Sequence, residues 1–382
     1  MTQRRTAAQE TLLYLPGSRW DDVRGTDYRL ARALAVHVPV LWIDPPLPIH
    51  LANRPGSSLG RQSVEITEVA PGITRVRSLS VPGFARWGLS SVARVLLGRA
   101  IKTALRRCQL RPFATILSSP ISSFPTGVEG TKVLYVTDDW VAGAGLMNLS
   151  RRFVQRKLRD NLRTADVCAT VSPHLASVLE GTPGAAAPVV LIPNGCDLPD
   201  LEDPGVPRRR NAGLIGQLNE RLDMQLLEAV QDAGIPLLVI GPRTERDAET
   251  GRRLDAFLAA PNVTWLGQLP AKELAPHLAE IGVGLTPYAD TAFNRSSFPL
   301  KTLEYLASGM PVVASDLPAV RWLNTELVAV ASGPAEFANQ VRRILDSPEE
   351  AGLGHLRRDV ASLHTWHVRA NQFLGIIQGV KP

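Results

Sequence analysis

Short apolar runs alternate with longer stretches of helical periodicity along most of the chain. The first run, Thr11–Leu15, is followed by a helical pattern over Gly25–His37 and by a second apolar run, Val38–Ile43. A strand, a helix and a strand in this order form a right-handed crossover unit with parallel strands. The pattern therefore predicts an α/β fold whose ligands bind beyond the carboxyl ends of the strands.

The alternation continues, pauses once and then restarts. Further apolar runs predict strands at Thr115–Ser118, Lys132–Val136, Val167–Ser172, Val189–Ile192, Ala212–Gly216, Leu237–Gly241 and Ile281–Pro287. The pause is residues 199–211, whose proline, glycine and charged residues cannot build a core, so we interpret it as a linker. We predict a first domain over residues 1–198, a second over 212–360 and an amphipathic tail helix within 361–382.

The most informative segment is Ser296–Pro318. Pro299 suits the first turn of a helix, Leu300 begins the apolar spacing of that helix, and Gly309 ends it before a short buried strand. Glu304 lies one turn past the helix start, where free backbone N–H groups and the helix dipole favour anions. Such a helix end can hold a diphosphate and a ribose together.

This segment, SSFPLKTLEYLASGMPVVASDLP, resembles the nucleotide-binding signature of GT-B fold glycosyltransferases of the glycogen-synthase-like, group 1 class, in the subset with Pro-x-Lys-x-x-Glu-Tyr. Glu304 matches the second Glu of the signature, which grips the ribose hydroxyls in the family. Ser296 occupies the place of the first Glu, which lies beside the reacting sugar. The resemblance implies two facing Rossmann-like domains with parallel sheets, and a C-terminal helix that crosses back to the first domain.

The resemblance also implies roles for other residues. Arg221, in the Asn-Glu-Arg-Leu-Asp turn after the first strand of the second domain, would meet the diphosphate. Together with Lys301 it would stabilise the departing diphosphate as the sugar is transferred. Residues 290–297 would form a polar loop facing the sugar. The predicted donor-binding set is Glu304, Pro299, Leu300, Ser296, Ser297, Gly241, Gln268 and Gly17.

Two features of the predicted first domain are candidates for binding the acceptor. The Pro16-Gly17-Ser18 loop follows the first strand and lets backbone approach a ligand at the edge of the sheet. Asp138 and Asp139 follow the strand Lys132–Val136 and resemble an Asp-Asp-Trp stretch of the same subset. They either orient the acceptor and take its proton, or one of them caps the next helix.

Composition and charge narrow the function further. The chain of 382 residues has three cysteines without paired spacing, a polar start and a net charge of +6. We therefore expect a cytoplasmic protein without disulfides, signal peptide or membrane-spanning helix, and an anionic partner. The arginines are dispersed and no recognition motif is present, which argues against nucleic acid. The Asp-x-Asp pair with which metal-binding glycosyltransferases hold their metal ion does not occur at the expected loop, so we expect no metal or other cofactor.

The segment Phe84–Arg107 predicts a basic amphipathic helix. It either packs against its own sheet with a solvated basic face, or lies on an acidic membrane surface near a lipid-linked acceptor. The second alternative would make the protein peripheral on the inner face of the membrane.

We expect transfer of a sugar from a nucleotide-diphosphate sugar to an acceptor hydroxyl, metal-independent and retaining, in cell-envelope, exopolysaccharide or glycoconjugate synthesis. Two alternatives stay open. A GT-B nucleotide-sugar epimerase needs no acceptor, but it requires an acid/base cluster that the sequence does not assemble. A non-catalytic GT-B subunit that binds a partner is favoured only by Ser296 in place of the first Glu.

Overall fold

The computed structural model describes residues 8–22, 24–52, 63–82, 89–199, 211–270, 273–278, 280–347 and 352–379. The chain divides into two compact units, one formed by Met1–Pro193 with Trp366–Pro382 and the other by Asn194–Thr365. Each unit has its own largely parallel sheet. Most of the predicted linker lies outside the described residues.

The described strands of the first unit are β1 Gln9–Pro16, β2 Val40–Ile43, β3 Leu47–Pro48, β4 Val64–Ala70, β5 Ile73–Ser80, β6 Leu110–Ser118, β7 Thr131–Val136, β8 Val167–Thr170 and β9 Val189–Leu191. Its helices before the second unit are α1 Thr26–Ala35, α2 Ile49–Ala52, α3 Leu89–Arg107, α4 Arg151–Thr164 and α5 Pro173–Glu180, with a 3₁₀ turn at Ala142–Ala144.

The first sheet runs in the order β3-β5-β2-β1-β6-β7-β8-β9, and β4 pairs with β5. Among the described strands of this sheet, only the β4–β5 pair is antiparallel. β1 lies in the middle, where Leu12 pairs with Val40 on one side and with Ala114 on the other. Leu12, Leu13 and Tyr14 are completely buried, as expected for a central parallel strand covered on both faces.

The second unit contains strands β10 Asn211–Ile215, β11 Leu237–Ile240, β12 Val263–Trp265, β13 Ile281–Thr286, β14 Val312–Ser315 and β15 Val328–Ala331. Its helices are α6 Met224–Asp232, α7 Ala248–Leu258, α8 Leu274–Leu278, α9 Ala292–Ser296, α10 Leu300–Ala307, α11 Pro318–Trp322, α12 Pro334–Asp346 and α13 Leu353–Ser362.

The sheet of the second unit has the order β12-β11-β10-β13-β14-β15, with every pair parallel. The chain first builds outward from β10 to β12 and then returns to start the other half at β13. The strand order therefore reverses between β10 and β13. In open parallel sheets, ligands bind at the carboxyl ends of the strands at such a reversal.

The last helix, α14 Trp366–Ile377, belongs to the first unit. It packs against α1, and Phe373 meets the ring of Tyr135 edge-on, with ring centroids 4.9 Å apart. Both rings are buried. The crossover helix that the GT-B resemblance implied is therefore present, and it contributes to the core of the first unit.

The structure corrects the predicted loop over residues 290–297, which contains the short helix α9. Thr291 caps this helix because its side-chain oxygen accepts from the backbone N–H of Asn294. The side-chain amide of Asn294 in turn donates to the backbone oxygens of Arg221 and Ala289. A helix forms in this polar segment, with Asn294 and Ser296 buried, because its polar groups find partners within the unit.

Candidate functional site

The loops after β10 and β13 are joined at the point where the strand order reverses. Leu222 and Tyr288 form an antiparallel bridge between them. The backbone N–H of Asp223 donates to Pro287 O at 2.8 Å, and that of Ala289 donates to Arg221 O at 2.9 Å. The predicted diphosphate-binding loop is therefore held in place by backbone hydrogen bonds.

The side chain of Arg221 is fixed by three groups. Its Nε donates to Asn294 Oδ1 at 3.0 Å. The guanidinium carbon lies 5.2 Å from the ring centroid of Tyr288 and 5.0 Å from that of Phe293. Because Asn294 is only 2% exposed, this hydrogen bond is shielded from water. The charge of Arg221 is thus positioned before any ligand arrives.

A cavity at this edge of the second sheet brings together three of the predicted site residues, namely Arg221, Ser297 and Pro299. Its other lining residues are mainly apolar: Tyr288, Asn294, Phe298, Leu317, Ala319 and Val320. One positive charge set among apolar walls and a helix start is a suitable environment for an anionic group with an attached ring.

Lys301 and Glu304 form an ion pair on α10. Lys301 Nζ lies 2.5 Å from Glu304 Oε2, and the two side chains are 32% and 22% exposed. The sequence interpretation assigned them separate ligands, the diphosphate and the ribose. The structure adds that each is the partner of the other, so a ligand that engages one side chain also changes the surroundings of the second.

Tyr305 anchors α10 to the sheet. Its hydroxyl accepts from the backbone N–H of Ile215 at 2.9 Å and donates to Gly213 O at 3.3 Å. The ring lies over Gly284, where a Cβ would come within 2.5 Å of it. Burial is the main cause that raises the pKa of Tyr305, so the phenol stays neutral and remains a hydrogen-bond donor.

Gly241 and Gln268 lie at the ends of β11 and β12. Gly241 has φ +149°, and a Cβ there would come within 1.7 Å of Gly216 O. Its backbone N–H donates to Gly267 O at 2.7 Å. Gly241 is therefore required for the close approach of two strand ends. Gln268 is exposed beside this turn.

Ser296 is completely buried at the end of α9. The hydroxyl of Ser297 donates to Phe293 O at 3.0 Å. Leu300 is the first residue of α10, and Pro299 is its N-cap, one position before the first turn predicted from the sequence. These residues form the short connection between α9 and α10.

In the first unit, the structure identifies a carboxyl group that the sequence interpretation missed. Asp27, in the first turn of α1, accepts from the Tyr14 hydroxyl and from the Gly17 backbone N–H, each at 3.0 Å. Burial is the main cause that raises its pKa to about 6; hydrogen bonds from Ser118, Gly17 and Tyr14 oppose the rise, and the charge of Asp138 adds to it. The signal in the sequence was an acidic residue opening the helix after the Gly17 loop.

The two adjacent aspartates after β7 differ in their surroundings. Asp139 Oδ1 accepts from the backbone N–H groups of Val141 and Ala142 at 3.1 and 2.9 Å, and thus caps the 3₁₀ turn. Asp138 lies within electrostatic reach of Asp27. The capping alternative therefore applies to Asp139, and Asp138 is the better candidate for an acceptor contact.

Asp44, in the Trp-Ile-Asp-Pro-Pro segment, holds the first loop in place. It is only 2% exposed and accepts from Trp42 Nε1 at 2.8 Å and from Trp20 N at 3.0 Å. Arg75 completes the cluster, with its Nε 2.8 Å from Asp44 Oδ2. This buried ion pair thus helps to hold the loop at Trp20 in place.

Comparison with known proteins agrees with this geometry. Residues 210–347 match the family model described as Glycosyl transferases group 1. A protein of Bacillus subtilis (strain 168), "Putative teichuronic acid biosynthesis glycosyltransferase TuaH", is 29% identical over 168 residues. The match covers 42% of this chain and 41% of that protein, so the chain spans well under two thirds of the length of this curated relative.

Solved structures resemble almost the whole chain. Sucrose-phosphate synthase from Thermosynechococcus elongatus has a TM-score of 0.73 at 18% identity and covers 97% of this chain and 98% of its own. Anabaena HepE in complex with UDP and glucose has a TM-score of 0.65 at 15% identity, with 97% and 99% covered. An E. coli trehalose-6-phosphate structure bound with UDP-2-fluoro glucose has a TM-score of 0.69 at 13% identity, with 98% and 100% covered.

The fold is therefore of the GT-B class, which confirms the fold predicted from the sequence. Residues 210–347, within the second unit, match the group 1 glycosyl transferase model, and this match confirms the resemblance stated for the Ser296–Pro318 segment.

Two further observations concern metals and membranes. Within the described ranges, no group of three or more His, Cys, Asp or Glu side chains is arranged to hold a metal ion. None of the described helices is long and apolar enough to cross a membrane.

Proposed function

We propose that the chain transfers a sugar from a nucleotide-diphosphate sugar to the hydroxyl of a glycan or lipid-linked acceptor in polysaccharide or glycoconjugate synthesis. The donor binds where the strand order of the second sheet reverses. The observation that carries this proposal is the fixed guanidinium of Arg221, which lies with Ser297 and Pro299 around one cavity. The group 1 domain match over the same segment supports it, as do two structural neighbours that hold UDP or UDP-2-fluoro glucose.

The roles of the side chains follow from charge. As the bond from the sugar to the diphosphate breaks, negative charge grows on the diphosphate. A positioned guanidinium and ammonium stabilise that charge without reorganising. We assign Arg221 and Lys301 to this role, which requires no metal ion. Glu304 holds the ribose hydroxyls through charge-assisted hydrogen bonds.

The acceptor side of the proposal rests on the first unit. Gly17, Asp27 and Asp138 lie at the carboxyl edge of its sheet, where they can orient an acceptor hydroxyl. Asp139 contributes by holding the adjacent turn. The family resemblance implies that the transferred sugar retains its anomeric configuration. NMR of the anomeric proton of the product would test this.

The test is incubation with a panel of UDP-sugars and GDP-sugars, with and without acceptor, followed by product analysis. A transferase consumes donor and makes product only with an acceptor, whereas an epimerase converts donor alone. A non-catalytic subunit leaves all donors intact. Thermal shift identifies the donor first, because a bound ligand stabilises the folded state. Arg221→Ala should lower the rate of transfer much more than it reduces the thermal shift given by the donor. Arg252→Ala, on the exposed face of α7, is the matched control.

A further inference from the structure

A groove in the first unit lies between α3, α4 and the loop after β6. Its polar lining comes from Arg94 on α3, Lys157 on α4, and Ser122 and Ser123 in the loop. The remaining lining residues are small or apolar: Pro46, Ala93, Leu97, Gly98, Ile121 and Pro125. Two cations and two serines therefore share one groove with apolar walls.

Arg94 and Lys157 give the groove a positive charge. Lys157 Nζ donates to Ser123 Oγ at 2.8 Å. Burial first, and the charge of Arg94 second, lower the pKa of Lys157, while Asp160 opposes this effect. Among the residues that the structure describes, neither cation forms an ion pair with a carboxylate. An anion bound in the groove would stabilise both positive charges, because it would compensate for the burial of Lys157 and for the repulsion between Lys157 and Arg94.

The loop that carries the serines is fixed from both sides. Ser119 Oγ accepts from the backbone N–H groups of Ile121 and Ser122 at 3.4 and 3.3 Å. The side-chain amide of Asn161, which is 1% exposed, donates to Ser122 O at 2.9 Å. The backbone at Ser122, directly before the Ser123 hydroxyl that contacts Lys157, is thus held in position without a ligand, as a binding site requires.

Gly98 lies in the middle of the 19-residue helix α3. Glycine in a helix interior is less stable than alanine because it loses more conformational freedom on folding. Nothing lies within 4 Å of where its Cβ would be, so close packing does not explain it. Its missing side chain keeps this wall of the groove open.

The outer face of α3 continues the same combination of charge and apolar surface. Val92 and Val95, which flank Arg94 in the sequence, are 46% and 53% exposed. In the predicted amphipathic helix these two valines are therefore solvent-exposed apolar residues. An apolar chain leaving the groove would find apolar contacts on this face.

We propose, on the basis of the transferase function above, that this groove binds the diphosphate of an acceptor whose diphosphate is esterified to an apolar chain. Arg94 and Lys157 contact the diphosphate, Ser123 donates a hydrogen bond to it, and Gly98 provides the space for it. The apolar chain leaves along Val92 and Val95.

The test measures binding of farnesyl diphosphate to the full-length protein by calorimetry, with inorganic pyrophosphate and farnesol as comparison ligands. Farnesyl diphosphate should bind at least tenfold tighter than either. Arg94→Gln and Lys157→Gln should each weaken its binding about tenfold or more. Gly98→Leu should do the same while keeping every charge. Arg107→Gln, in the last turn of the same helix, is the matched control and should change affinity less than twofold.

The outcomes separate this proposal from the proposed function. Equal affinity for pyrophosphate and farnesyl diphosphate would contradict a contribution of the apolar chain to binding. Unchanged affinity in Gly98→Leu or in the two charge variants would show that the diphosphate does not bind in this groove. Donor binding by thermal shift should be the same in wild type and all four variants. If farnesyl diphosphate binds but no nucleotide-sugar donor does, the proposed role of the groove is supported and the proposed transferase function is contradicted.

Discussion

The hydroxyl of Tyr14 donates to Asp27 Oδ1 at 3.0 Å at the carboxyl edge of the first sheet. Tyr14 is completely buried and stacks on Trp42, with ring centroids 5.4 Å apart. Burial and the nearby carboxylate keep this phenol protonated by raising its pKa. Tyr14 is therefore a permanent donor to a carboxyl group whose pKa is raised to about 6, mainly by burial.

The raised pKa of Asp27 predicts a pH-dependent stability. Because the folded pKa is about 6 and the ordinary value is 3.8, the folded protein holds the proton more tightly than the unfolded chain. This group therefore lowers stability progressively as pH rises from about 4 to about 6. Asp27→Asn removes that penalty, so its melting temperature should exceed that of wild type more at pH 7.5 than at pH 4.5.

Tyr14→Phe provides the control for this prediction. It removes a hydrogen bond that favours the ionised carboxylate, so the pKa of Asp27 should rise further and the pH window should move upward. Carbon-13 NMR of the aspartate carboxyls would follow the titration directly. A difference between Asp27→Asn and wild type that is the same at both pH values would contradict the assignment.

Glu304 is predicted to bind the ribose of the donor. Glu304→Ala should weaken binding of the free nucleoside diphosphate by about 1.5–3 kcal/mol, which is about tenfold or more. Since Lys301 Nζ lies 2.5 Å from Glu304 Oε2, the alanine variant also frees the lysine. Glu304→Gln keeps the shape and some hydrogen bonding, so it should show a smaller loss. Calorimetry that finds Glu304→Ala binding like wild type would rule out the ribose contact.

Much of this site could be predicted from sequence because its signals are local. Pro299, Glu304 and Gly309 define a helix start, an acidic residue within its reach and a helix end. Gly309 indeed has φ +68° directly after α10. The short apolar run likewise predicts a buried parallel strand, and Val312 does pair in parallel with β13 and β15. Each of these features depends on neighbours within one turn or one strand.

The parts that could not be predicted depend on contacts distant in sequence. The position of Arg221 is set by Asn294, 73 residues away, and the pKa of Asp27 depends on Ser118 and Asp138. The mainly polar segment 290–297 predicts a loop, whereas the helix α9 forms with Asn294 donating to Arg221 O on a loop distant in sequence. A periodicity argument has no access to such partners.

Arg221 and Lys301 are predicted to act on the transition state. Arg221→Ala and Lys301→Ala should lower kcat by about a hundredfold and should weaken donor binding by much less, because charge on the diphosphate grows only as the glycosidic bond breaks. Single-turnover kinetics and donor titration measure the two effects separately. Equal losses in rate and in affinity would mean that these side chains only anchor the donor.

Asn294→Ala tests the positioning of Arg221. The variant keeps the cation but removes its hydrogen bond, so turnover should fall in the same direction as in Arg221→Ala and by a smaller factor. Arg295→Ala, the next residue on α9, whose partner is the exposed Asp290, is the control. A turnover in Asn294→Ala equal to that of wild type would show that Arg221 does not depend on this contact.

The last prediction concerns the exposed basic face of α3, where we expect binding to anionic lipid. Arg99, Lys102 and Arg106 are exposed, and each contributes about 1 kcal/mol near an acidic surface. Their joint replacement by glutamine, which leaves Arg94 in the groove intact, should weaken binding to phosphatidylglycerol vesicles about a hundredfold at low salt. Raising the salt should weaken wild-type binding as well, because the attraction decays within about 8 Å at physiological ionic strength.

A matched triple variant, Arg252→Gln with Arg342→Gln and Arg343→Gln, removes the same charge from the second unit. It should sediment with the vesicles like wild type, because these side chains lie on α7 and α12. Neither triple variant should lose much thermal stability, since exposed charges contribute little to the folded state. If wild type stays in the supernatant at low salt, the helix is a solvated wall of the first unit. The groove would then have to capture its acceptor directly from solution.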